Sequence, residues 1–195
     1  GGHKDLVESL RNSDANTQAK TCAQCHSADS AMHRSRSGAH HKAQVTCLTC
    51  HSPAAPKHRV REDASSKCAE CHKQVEAEFK LPNHHPVLEG AMGCVDCHDP
   101  HSARPRMRNR ELRSQSCVKC HKQYRGPFVF AHQASRTDGC VACHSPHGSV
   151  NKMLLKQPTS QQNCLQCHSD FPAFHDQTSG AVFTNCMKCH TEVHG

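Results

Sequence analysis

Short α-helices and irregular segments with little or no β-structure, wrapped around groups that are not side chains, form the fold class this sequence predicts. Three observations lead there. The pentapeptide Cys-x-x-Cys-His occurs eight times in 195 residues and uses all 16 cysteines. Hydrophobic residues are only 35% of the chain and aromatics 4%, with no tryptophan, too little for an ordinary core. First cysteines of alternate copies stand at 22, 68, 117 and 164, so a larger unit recurs at intervals of 46, 49 and 47 residues.

The motif joins Cys22 and Cys25 to His26, Cys47 and Cys50 to His51, Cys68 and Cys71 to His72, and Cys94 and Cys97 to His98. It then joins Cys117 and Cys120 to His121, Cys140 and Cys143 to His144, Cys164 and Cys167 to His168, and Cys186 and Cys189 to His190. This is the attachment pattern of c-type haem: two thiols bond covalently to the porphyrin and the histidine ligates iron. Zinc is the competing reading, but zinc does not need a histidine directly after the second cysteine. Twenty histidines in 195 residues put one there by chance about a tenth of the time, and eight successes in a row have odds of roughly 10⁻⁸. Thioredoxin-like pairs fail on the same count and lack a βαβ pattern. Eight covalently bound haem c groups are therefore predicted. With roughly 24 residues for each, the macrocycles are the apolar core and the polypeptide a thin wrapping. The chain without haem is expected to be unfolded.

In order along the chain, residues 1–21 form a lead-in without a motif, with a short helix expected over Asp5 to Leu10 and a polar, loop-like stretch after it. Residues 22–195 form the haem domain, read as four two-haem modules at 22–58, 68–101, 117–147 and 164–194. Each module runs motif, spacer ending in histidine, second motif, and a further histidine a few residues on. The first is the loosest, offering His33, then His40 and His41, then His58. The second carries Phe79, His84 and His85, then His101. The third carries Phe128, Phe130 and His132, then His147, and the fourth Phe174 and His175, then His194. Lys73–Lys80 and Met107–Leu112 have helix-compatible composition, and Pro53, Pro82, Pro100, Pro146 and Pro172 punctuate loops. Each motif is expected on a helical turn that brings two thiols and a histidine to one haem.

Twelve histidines lie outside the motifs. The repeat supplies a sixth ligand for each iron: His40 or His41, His58, His84 or His85, His101, His132, His147, His175 and His194. His3 and His33 stand outside that set. His101 follows His98 by three residues and cannot reach the opposite face of the same haem, so it is expected to serve a neighbour, as is His147. Met32, Met92, Met107, Met153 and Met187 hold no fixed place in the repeat and read as packing. Ligation by histidine on both faces implies low-potential haems.

The formal charge of +7 does not mark a nucleic-acid binder. Haem propionates outweigh it, leaving roughly −1 when oxidised and roughly −9 when reduced, and no aromatic-studded basic stripe is present. No transmembrane helix is expected, the longest apolar run being Phe128–Ala131. Gly1-Gly2 reads as a processed or trimmed start. Haem attachment to this motif takes place outside the cytoplasm, so export to the periplasm, to the outer membrane or beyond the cell is implied.

The forms Cys-Val-Asp-Cys-His-Asp-Pro-His (94–101) and Cys-Val-Ala-Cys-His-Ser-Pro-His-Gly (140–148) are followed by another motif 23 and 24 residues on. They resemble the doubled-motif multihaem cytochromes. His85-Pro86-Val87-Leu88-Glu89-Gly90, the stretch Gly126 to His132, and the closing Cys189-His190-Thr-Glu-Val-His194-Gly195 look like the periplasmic decahaem cytochromes of the DmsE/MtrA type. The resemblance implies histidine-ligated haems strung into a wire, which plugs an outer-membrane β-barrel or passes electrons from a periplasmic donor to an extracellular cytochrome. That family usually has ten haems; this chain has motifs for eight.

The functional expectation is an electron conduit with no catalytic residues of its own. An octahaem reductase would need an open iron with acid–base groups around it, whereas this chain has histidines enough to close every iron and a single tyrosine, Tyr124. Self-assembly into an extracellular cytochrome filament is the alternative, with His3 or His33 donated to a neighbouring subunit. A soluble shuttle shares the chemistry and differs only in partners.

Overall fold

The computed structural model describes residues 2–26, 36–52, 64–101, 110–170, 175 and 185–195. His33, His58 and Phe174 lie outside the described residues, as does the whole span 102–109. Ten short α-helices are seen among them: α1 (His3–Ser9), α2 (Ala15–Cys22), α3 (Ala39–Lys42), α4 (Cys47–Cys50), α5 (Ala64–Ala69), α6 (Lys73–Glu78), α7 (Cys94–Cys97), α8 (Arg110–Cys117), α9 (Gln133–Thr137) and α10 (Ser160–Leu165). Single 3₁₀ turns lie at Lys122–Tyr124, Cys140–Ala142, Lys152–Leu154 and Cys186–Lys188. No strand occurs among the described residues, only two isolated bridges, Asn83 with Ser149 and His144 with Leu155. The helix-rich, β-poor class expected from the sequence is the class observed. No described helix is long and apolar enough to cross a membrane.

The motifs alternate in their setting. First motifs of each pair close a longer helix, at the ends of α2, α5, α8 and α10, while second motifs form their own turn, at α4, α7, Cys140–Ala142 and Cys186–Lys188. The polar stretch after residue 10 is not the loop expected: α2 forms there. Asp14 caps it, its carboxylate accepting from Asn16 and Thr17 N–H at 2.8 and 3.0 Å. Buried Ala15 and Ala19 then turn inward.

The chain divides into two compact units. One comprises residues 1–71 and 93–109, the other 72–92 and 110–195, so the division passes through the Cys68–His72 motif. In the first unit Val7, Leu10, Ala15 and Ala19 make a small buried cluster. Gln18, fully buried beneath it, donates to the carbonyls of Leu10 and Ser13 and accepts from Leu48 N–H, tying α2 to the motif turn α4. In the second unit Phe79 is buried, and the segment 144–155 folds back through Ser145 and Lys156 N–H bonds to Leu154 and Cys143 carbonyls. Ser160 Oγ reaches Asn185 Oδ1 at 2.7 Å, which holds α10 beside the last motif.

Side chains alone do not complete either interior. Val129 and Phe130 are 89% and 85% exposed, just ahead of His132. Large apolar surface is thus left for groups other than side chains to cover.

Candidate haem-binding sites

One hydrogen bond shapes seven of the eight motifs. The histidine N–H donates to the carbonyl of the first cysteine, as in His26 to Cys22, His98 to Cys94 and His190 to Cys186, at 2.9–3.0 Å. This single turn sets both thiols and the imidazole on one side of the backbone, the arrangement covalent haem attachment needs.

Thiols of successive motifs meet. Within each pair the first cysteines are partners: Cys22 with Cys47, Cys68 with Cys94, Cys117 with Cys140, and Cys164 with Cys186. Between pairs the second cysteines are neighbours, Cys50 with Cys71 and Cys143 with Cys167. The electrostatics follow from this crowding. Burial and then the adjoining Cys94 push the Cys68 thiol up to about 11, and burial and Cys186 do the same for Cys164. Cys140 goes the other way, down to about 5, because the Cys117 thiol hydrogen-bonds to it, with Ser114 Oγ adding to the effect.

Imidazoles are paired as well. His51 faces His101 with ring centroids 5.8 Å apart, and His121 faces His85 at 6.1 Å. His168 faces His132 at 6.2 Å, His144 faces His194 at 6.3 Å, and His190 faces His175 at 6.4 Å. An ion bound by imidazole nitrogen on both sides, at about 2 Å each, puts the two centroids roughly 6 Å apart. The separations therefore fit an iron between each pair. His26 is also paired, at 6.4 Å, with His3 of α1, a residue that the repeat does not contain. Only its position opposite the first motif reveals it.

Second nitrogens are engaged too. His85 Nδ1 donates to the Pro146 carbonyl at 2.7 Å, His144 Nδ1 to Met153 at 2.8 Å, and His40 Nδ1 to Pro100 at 3.3 Å. His147 Nδ1 lies 2.9 Å from Glu78 Oε2. A hydrogen bond at Nδ1 is the usual outer support of a histidine that ligates a metal through Nε2. The sequence could not choose within the double histidines. Here His41 spends Nε2 on Asn16 Oδ1, and His84 spends both nitrogens, on the Leu81 carbonyl and on Glu89. Of the second pair, His85 is the member left able to ligate; the first pair is not separated in this way. Burial, and the His144 ring opposite, hold His194 below the usual histidine range, which favours the neutral imidazole that metals bind. Tyr124 packs its ring 4.3 Å from that of His194. The predicted ligand His58 lies outside the described residues.

Comparison with known proteins agrees with this chemistry. The doubled CXXCH motif model matches residues 84–126 and 132–173. Over 214 aligned positions the chain is 34% identical to the multiheme cytochrome MtrA of Shewanella baltica; the match takes in all of this chain and 63% of that protein. The chain thus spans a little under two thirds of that relative's length. Haem c binding through the Cys-x-x-Cys-His motifs follows, and the chain is a multihaem c-type cytochrome with a likeness to MtrA.

Proposed function

We propose that this chain carries electrons along eight c-type haems, each closed on both faces by histidine. When bound, the haems supply reversible one-electron chemistry; the polypeptide fixes their spacing and closes their irons. The observation that carries the reading is the pairing of six motif histidines with imidazoles 5.8–6.4 Å away, five of them from a different module or from the lead-in. The distal set then includes His3, His85, His101, His132, His175 and His194, and the repeat offers His40, His58 and His147 for the motifs of His72 and His98.

Cross-linked ligands of this kind keep neighbouring sites close. So do the paired thiols, which join the first cysteines inside a module and the second cysteines across a boundary. The two sites of each module are then adjacent at their attachment edges, as are those that meet at Cys50 and Cys71 and at Cys143 and Cys167. No catalytic residue is assigned. A filament would have a neighbouring subunit donate His3 or His33; His3 faces His26 of its own chain, and His33 lies outside the described residues. The family likeness supports an exported, periplasmic or outer-membrane-associated conduit. Its donor is a periplasmic redox protein, and its acceptor lies towards the cell exterior through an outer-membrane barrel or extracellular cytochrome.

Protein-film voltammetry of the haem-loaded protein tests the proposal. Reversible waves and an absorption spectrum untouched by carbon monoxide are expected. Catalytic current with nitrite, hydroxylamine or sulfite, together with carbon monoxide binding, would replace the conduit by a reductase.

A further inference from the structure

We infer that Tyr124 is a positioning residue: its ring orients His194 as the second axial ligand of the haem held by Cys140, Cys143 and His144. The inference rests on the reading above that His194 closes this iron opposite His144. Tyr124 ends the 3₁₀ turn Lys122–Tyr124, which starts directly after His121. Its ring centroid lies 4.3 Å from that of His194, with the planes tilted by 41°.

The same loop grips the residue beside the ligand. Gly195 has φ +122°, and a Cβ built there would lie 2.7 Å from both Cβ and Cγ of Phe128, so only glycine lets the chain pass this close to that ring. Gly126, at φ +77°, makes the turn between Tyr124 and Phe128. The Gly195 N–H donates to the Glu192 carbonyl at 3.2 Å, which closes residues 192–195 into a turn of their own. His194 and Gly195 are thus set against two rings of one loop. All these groups, with Cys140, Cys143 and His144, belong to one compact unit.

An imidazole bound to iron through one nitrogen can still rotate about that bond until a neighbour stops it. His144 is fixed by its Nδ1–H bond to the Met153 carbonyl at 2.8 Å. On the opposite face the Tyr124 ring, in direct contact with His194, supplies the restraint. The two imidazoles face each other at 6.3 Å and 18° from parallel. The angle between two axial rings governs the splitting of the iron d orbitals that overlap them, so the spectrum of low-spin ferric haem reports it. Tyr124 also faces His121 at 6.4 Å and 26°, so the orienting ring touches on the ligands of two successive sites.

Electron paramagnetic resonance of the fully oxidised, haem-loaded protein tests this with three variants. His194→Ala identifies the site: one low-spin component is expected to vanish and one high-spin centre to replace it. Tyr124→Leu removes the ring, and that same component is expected to change its g values while every haem stays low-spin. Tyr124→Phe keeps the ring and is expected to give the wild-type spectrum. Tyr124 is 45% exposed, so neither change opens the interior. A Tyr124→Leu spectrum identical to wild type, or altered only in other components, would overturn the role of Tyr124 and leave His194 ligation standing. Matching changes in Tyr124→Phe and Tyr124→Leu would also overturn it, since the hydroxyl rather than the ring would be responsible. If His194→Ala produced no high-spin centre, the underlying reading would fall and the role of Tyr124 with it.

Discussion

An imidazole can ligate a metal only through a nitrogen not already bound elsewhere, and this rule sorts the doubled histidines. His85 gives Nδ1 to Pro146 and keeps Nε2, while its neighbour His84 is held at both nitrogens. His85→Ala is therefore expected to convert one low-spin haem to high spin, and His84→Ala to leave every haem low-spin. Magnetic circular dichroism of the two variants checks this, and the reverse pattern would exchange their roles. His3→Ala is expected to open one iron as well, although no repeat position marks it. What could be read in advance at this scale was local, chiefly the motif residues; the ring of His101, expected to serve a site other than its own, lies 5.8 Å from that of His51. Adjacent histidines look alike in sequence, and the partners that separate His85 from His84 include a carbonyl 61 residues away.

Helix α2 shows how an element can hide in a polar sequence. Its inward face is two alanines and a glutamine, so hydrophobic periodicity is weak; the cap at Asp14 and the burial of Gln18 make it a helix. The helix over Lys73–Glu78, by contrast, was legible from composition alone. Hydrogen bonds from Thr17 hold the Asp14 carboxyl below its usual range. A depressed carboxylate pKa stabilises the fold above the unfolded value, and the contribution disappears as pH falls through the folded one. Asp14→Ala is thus expected to lower the unfolding temperature at neutral pH, with the difference shrinking as the solution is acidified below that range; a pH-independent difference would contradict the cap. Gln18→Leu removes the partners of three buried or half-buried backbone groups, and a loss of about 2–3 kcal/mol in denaturant unfolding is expected. A loss under ~0.5 kcal/mol would mean water replaces the side chain without cost.

At the scale of the molecule, the described residues bury little apolar surface through side chains alone. Only Val7, Leu10, Ala15, Ala19 and Phe79 are buried hydrophobics among the described residues, while Val129, Phe130, Val150 and Met153 stand exposed near the paired histidines. The haem-free chain is expected to give a coil-like circular dichroism spectrum without a cooperative melt, and the loaded protein a helical one with such a melt. The multihaem class and its sparse helices were legible because the motif is covalent chemistry written in five residues. The division into two units was not, since the facing imidazoles cross the modules that the spacing suggests: His51 to His101, His121 to His85, His168 to His132. The most direct test counts irons by spin state. A pyridine haemochrome assay combined with electron paramagnetic resonance of the fully oxidised protein is predicted to give eight haems per chain, all low-spin. Fewer haems, or a substantial high-spin signal, would contradict the account.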